Sequence, residues 1–229
     1  MGAPPSGGAR GGGAPPLMEF ARVPFVGLTG GIGAGKSTAL AALDELGAAT
    51  LSTDAIVHEL LGTGELREQI AGRFGADVVS EGAVDRGALA GKVFESEEAR
   101  EWLEGLLWPR VGERVAAWRT DVEAMEPPPA AAVVEVPLLF EAGMEAGFDH
   151  TIAVVADEAV RAQRAGSRGH QALEARTGRQ LTQEEKAQRA DFSVRNDGTA
   201  EELKAELSRI LARIKTQRGA PPPLASPST

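Results

Sequence analysis

Five short apolar runs, set apart by polar stretches with helical spacing, give the chain its rhythm. They are VPFVGLT (23–29), AATLS (48–52), AAVVEV (131–136), TIAVVA (151–156) and DFSVR (191–195). Near-continuous apolar runs predict strands buried on both faces, and their alternation with helices predicts a parallel sheet covered on both sides. Leucines at 40, 43 and 46 carry the helical period after the first run. The second run is rich in alanine, a weak strand former, so its assignment rests on its place after Gly47.

Two stretches break the alternation. Residues 62–122 are strand-poor and helical, with Leu103, Leu106 and Leu107 on one face and Trp102 and Trp118 nearby. They are too long for a plain crossover and predict a helical subdomain beside the sheet. The second stretch, from Arg161, holds arginines at 161, 164, 168, 176, 179, 189 and 195, a density unusual in an acidic chain. At the ends, residues 1–20 and 219–229 are rich in Gly, Pro and Ala. They predict disordered tails around one domain at 21–218, because such tracts bury too little to offset their ordering entropy.

Composition narrows the partners. With 229 residues, 42% of them apolar, the chain can bury one core and a small satellite. A formal net charge of -9 without a sustained basic run argues against nucleic acid. No segment is long and apolar enough to span a bilayer, and the first residues lack the apolar stretch of a signal peptide. A cytoplasmic protein without membrane contact is expected. The absence of cysteine removes disulfides and thiolate metal sites. Trp118 fits a core or an interface equally, which leaves a monomer or a weak homo-oligomer.

The first strand runs into Gly30-Gly31-Ile32-Gly33-Ala34-Gly35-Lys36-Ser37, a GxxxxGK[ST] loop, and a helix follows with Thr38 in its first turn. That strand–loop–helix context is what the motif requires. Glycines let successive N–H groups converge on an anion, and the helix N-terminus adds its own amides and dipole. Lys36 is expected on the β- and γ-phosphates of ATP, and the Ser37 hydroxyl on Mg²⁺. No Asn-Lys-x-Asp guanine-reading motif occurs, and AVVEVP ends without an aspartate in the Walker B place. Both points weaken a GTPase or a mechanochemical ATPase.

Asp54 follows the second strand, at the sheet's carboxyl end, where α/β proteins bind ligands. There a carboxylate can orient an attacking hydroxyl, take its proton, and help hold the metal, partly through water. Alternatively Thr53 or Asp54 caps the helix AIVHELL. His58 lies one turn further on, at the edge of the expected acceptor site. Arg161, Arg164 and Arg168 follow the fourth strand, a glycine-containing stretch, AGSRGH, interrupts the helix, and residues 161–180 read as a lid whose guanidinium groups stabilise the moving phosphoryl and exclude water. The same arginines also fit a solvated helix face laced by Glu158, Glu174, Glu184 and Glu185.

Taken together, VGLTGGIGAGKST (26–38), LGAATLSTDAIVHEL (46–60), DRGALAGKVF (85–94), VPLLFEAGM (136–144) and RQLTQEEKAQRADFSVRNDGT (179–199) resemble the dephospho-coenzyme A kinase family. The resemblance implies a P-loop NTPase fold, three-layer α/β/α, with a five-stranded parallel sheet, a helical acceptor-binding subdomain and a lid. It implies transfer of the γ-phosphoryl of ATP, with Mg²⁺, to the ribose 3′-hydroxyl of dephospho-CoA, giving ADP and coenzyme A. It also implies that Asp54 is the functional aspartate, that Arg86, Leu138 and Glu141 belong to the acceptor side, and that Asn196 sits near the adenine. Three departures stand out: Ser52-Thr53-Asp54 replaces an Asp-x-Asp, Trp108-Pro109 replaces a His-Pro pair, and GSRGH replaces a shorter Arg-Asp turn. Another small P-loop kinase acting on a nucleotide or small-molecule hydroxyl, or a non-catalytic ATP-binding regulatory protein, are the competing expectations.

Overall fold

A computed structural model describes residues 22–94, 96–166 and 181–217. Along the chain, strand β1 (Phe25–Gly30) leads through the glycine loop into helix α1 (Lys36–Glu45), and β2 (Ala49–Ser52) into α2 (Thr53–Leu61). A lobe follows, made of α3 (Gly64–Phe74), β3 (Val79–Ser80), β4 (Ala83–Val84), α4 (Arg86–Phe94) and the long α5 (Glu97–Glu123). The chain then returns through β5 (Ala132–Glu135), β6 (His150–Val155), α6 (Glu158–Gly166), α7 (Gln183–Arg189), β7 (Phe192–Arg195) and α8 (Ala200–Gln217).

All five expected strands form, with ends moved by a residue or two, and they pair in parallel in the order β2-β5-β1-β6-β7. In the central β1, β5 and β6 the apolar runs are continuous because side chains alternate between two covered faces, whereas the edge strand β7 alternates buried and exposed residues. Val26, Leu28, Val133, Ile152 and Val154 pack with Ala39 and Leu43 of α1 and with Leu203, Leu207, Ile210 and Ile214 of α8. Phe25, Ala132 and Val134 face the other way, onto Val122 of α5, Leu139 and Phe140. Trp118 packs, half-buried, against this second core.

The helical lobe has its own core, where Ile56, Leu60, Leu66, Ile70 and Leu89 meet Trp102, Leu103, Leu106 and Leu107. The sequence pattern missed the β3–β4 hairpin inside it. Each strand is only two residues long, too short for alternation to register. Its turn is set by Glu81 (φ 52) and Gly82 (φ 80), the paired positive φ angles of a tight hairpin. The central α5 carries Trp102 in the lobe and Val122 under the sheet, so it ties the lobe to the sheet. Among the described residues no helix is long and apolar enough to cross a membrane.

Candidate active site

The phosphate loop bends through Gly33 (φ 77) and Gly35 (φ 91), left-handed conformations that favour glycine. Space demands glycine there as well. A Cβ on Gly33 would lie 2.7 Å from the Arg161 carbonyl oxygen, and one on Gly35 would lie 2.0 Å from Asn196 Nδ2. Gly35 caps α1 without a side-chain hydrogen bond, which leaves the first-turn amides of that helix to serve an anion. Lys36 Nζ curls over the loop and donates to the carbonyls of Gly30 (3.0 Å) and Gly31 (3.3 Å). Ser37 and Thr38 are exposed in the same helical turn, their backbones held by the loop.

One rim of the loop is built by α6 and the end of β7. Arg161 donates through Nε to the Ile32 carbonyl (3.0 Å) and pairs with Glu158 (3.2 Å). Arg164 Nη1 donates to the Asn196 carbonyl (3.0 Å). Asn196 is buried; its Nδ2 donates to the Ala34 carbonyl (2.9 Å) and its backbone N–H to Val155 (2.8 Å). Of the three expected lid arginines, Arg161 therefore bonds the loop itself and Arg164 bonds Asn196 beside it. Arg168, His170 and the rest of the expected lid lie outside the described residues. Because backbone atoms of α6 crowd Gly33, a Gly33→Ala substitution should weaken ATP binding about tenfold or more. Titration calorimetry checks this, and an unchanged Kd would contradict it.

The opposite rim is acidic. Register places Ser52 of β2 and Leu28 of β1 beside Glu135, the last residue of β5. Glu135 is only 7% exposed. Burial pushes its carboxyl pKa up, while a hydrogen bond from Ser52 and the charge of Lys36 pull it down and the Asp54 carboxylate pushes it up further. Thr53 Oγ1 donates to the Glu135 carbonyl (2.9 Å), joining the start of α2 to the same point. Asp54 and His58 are exposed and one turn apart on α2, hence on one face. The capping alternative fails for Asp54: α2 begins at Thr53, Ser52 holds the cap position, and no side chain caps it. Asp54 instead stands in the first turn, where its charge suits the helix dipole and its carboxylate faces outward.

The remaining expected residues are spread more widely. Arg86 is exposed at the start of α4, in the lobe, behind Asp85, whose Oδ1 accepts from Gly87 and Ala88 (2.8 and 3.0 Å). Leu138 is half-buried in the turn after β5. Glu141 is committed to an ion pair with Lys186 (3.0 Å) and to the Leu181 N–H (3.1 Å).

Glu135 is a buried acid at the site that the sequence pattern does not single out. The Walker B place holds no aspartate, and the signal for Glu135 is a single acid ending an otherwise apolar strand, AVVE. The oxygen donors of Ser37, Glu135 and Asp54 suit a hard cation such as Mg²⁺. That ion keeps most of its shell as water and phosphate oxygens and needs only one or two protein ligands. No cluster of three or more His, Cys, Asp or Glu fit for a metal occurs among the described residues.

A family model described as dephospho-CoA kinase matches residues 24–202. A dephospho-CoA kinase of Anaeromyxobacter dehalogenans is 39% identical over 208 residues, covering 88% of this chain and 97% of that one. One from Syntrophotalea carbinolica is 35% identical, covering 89% of this chain and 98% of its own. Among solved structures, the Thermus thermophilus protein TT1252 superposes with a TM-score of 0.70 at 33% identity, covering 84% of this chain and 98% of that chain. The dephospho-CoA kinase of Campylobacter jejuni gives 0.60 at 27%, over 83% and 96%.

Proposed function

The chain belongs to the dephospho-CoA kinase family, ATP-dependent enzymes that convert dephospho-CoA to CoA, and we infer that it places the γ-phosphoryl group on the ribose 3′-hydroxyl. The observation that carries this is the juxtaposition of a phosphate loop with the Glu135–Ser52–Asp54 rim. The loop amides and Lys36 hold the triphosphate. Asp54 orients the acceptor hydroxyl and receives its proton as the oxygen attacks the γ-phosphorus. The bond to the β–γ bridging oxygen breaks, and ADP leaves. Lys36, Arg161 and Arg164 stabilise the charge on the equatorial oxygens. Ser37 and Glu135 would hold Mg²⁺, which when bound neutralises charge on the β- and γ-phosphates. His58, Arg86, Leu138 and Glu141 contribute to the acceptor side, and Asn196 to the adenine side.

The rival kinase is separated by its acceptor. ADP release measured with dephospho-CoA, AMP, adenosine and simple sugar alcohols should favour dephospho-CoA in kcat/KM by about 10²-fold or more, because polar contacts left unpaired by the wrong acceptor are costly. Equal rates with an unrelated alcohol would move the chain to the rival class. ATP binding without any turnover would support a regulatory ATP-binding protein.

A further inference from the structure

The turn after β5 and helix α7 meet at a single atom. The Pro137 carbonyl oxygen accepts from Thr29 Oγ1 of β1 (3.1 Å) and from Lys186 Nζ of α7 (2.7 Å). Lys186 is 1% exposed, and its ammonium also pairs with Glu141 Oε1 (3.0 Å). The other oxygen of Glu141, Oε2, is buried and has no hydrogen-bond partner among the described residues. One turn earlier on the same face of α7, buried Gln183 grips both backbone groups of Ala156 (2.9 Å each), just past β6. Its Cγ lies 3.3 Å from where a Cβ of Gly31 would be. A capping box, with Thr182 and Glu185 bonding reciprocally, fixes the start of this seven-residue helix.

Helix α7 thus touches the phosphate loop at one end and the 136–141 turn at the other. An ammonium this deeply buried loses its hydration, and an apolar side chain would fill the space at lower cost. An ion kept at such a place acts as a specific tie. We propose that Lys186 is a positioning residue for the acceptor: by fixing the Pro137 carbonyl and Glu141 it sets the 136–141 turn against β1. The inference rests on the 136–141 turn facing dephospho-CoA. ATP is held by a separate set of contacts, at Lys36, Arg161, Arg164 and Asn196, so the two substrates should respond differently.

The test is steady-state kinetics with dephospho-CoA varied, alongside ATP titration and a thermal melt. Lys186→Met should raise the acceptor KM about tenfold or more and leave the ATP Kd within about twofold. That variant strands Glu141, so the paired Lys186→Met/Glu141→Gln variant removes both charges together. Thr29→Val, which deletes the other donor to the Pro137 carbonyl at nearly constant volume, should move the acceptor KM in the same direction by a smaller factor. A folded Lys186 variant with a wild-type acceptor KM would overturn the proposal. So would equal weakening of ATP and acceptor, since that marks a general structural role; if no Lys186 variant folds, Thr29→Val with an unchanged acceptor KM does the same. If wild-type protein itself fails to turn over dephospho-CoA, the functional assignment falls first and the proposal with it.

Discussion

Asp54→Asn should lower turnover of dephospho-CoA by about 10²–10⁴-fold while the ATP Kd stays within about twofold of wild type. The substitution keeps size and hydrogen-bonding shape and removes only the charge and the proton acceptor. Asp54 is exposed on the first turn of α2 and caps nothing, so the fold loses little. ATP affinity is spared because the loop glycines, Lys36 and the α1 amides bind the triphosphate from the other side. Steady-state turnover combined with calorimetric ATP binding separates the two effects. Unchanged turnover would remove Asp54 from the mechanism, and an equal loss of ATP binding would make it a nucleotide ligand instead.

Glu135→Gln should lose activity and gain stability. Turnover should fall by about 10²-fold or more, because the neutral amide would be a much weaker ligand than the buried carboxylate for the Mg²⁺ that Glu135 is proposed to hold. The Gln side chain still accepts the Ser52 hydrogen bond and fills the same volume. Burial has raised the folded-state pKa of Glu135 above its ordinary value of 4.5, so the folded protein binds this proton more tightly than the unfolded chain. Stability therefore falls as pH rises from about 4.5 through the raised value, and it stays low above it. Glutamine escapes that loss. In buffer with chelator and no nucleotide, the variant should melt close to wild type near pH 4 and about 2–4 °C higher at pH 8, about 1 kcal/mol for a domain of this size. A variant that melts lower at pH 8 would show that Glu135 is a structural partner rather than a strained functional acid.

The sheet was legible because its central strands β1, β5 and β6 are buried on both faces and three of the five apolar runs adjoin glycine or proline. The phosphate loop was legible because its glycines serve backbone geometry that few other residues tolerate. Glu135 was not, since its meaning lies in register: Ser52 of β2 and Leu28 of β1 flank it, and neither neighbour is close in sequence. Lys186 was hidden for a related reason. In TQEEKAQR it looks like one charge on a solvated helix, and only the packing of α7 onto Pro137 buries it. The β3–β4 hairpin fell below the length at which alternation carries information. Arg161 and Arg164 stand out by density in the sequence, and the fold adds what spacing cannot: from α6, Arg161 reaches the loop and Arg164 reaches Asn196 beside it.

The central claim is that the acceptor is the ribose 3′-hydroxyl of dephospho-CoA, and product identification tests it most directly. Purified protein is incubated with ATP, Mg²⁺ and dephospho-CoA, and the products are resolved by mass spectrometry and phosphorus NMR. One added phosphoryl group at the 3′ position, with ADP formed in equal amount, is the result expected. ADP formed without a modified acceptor, or a phosphoryl group on any other hydroxyl, would contradict it.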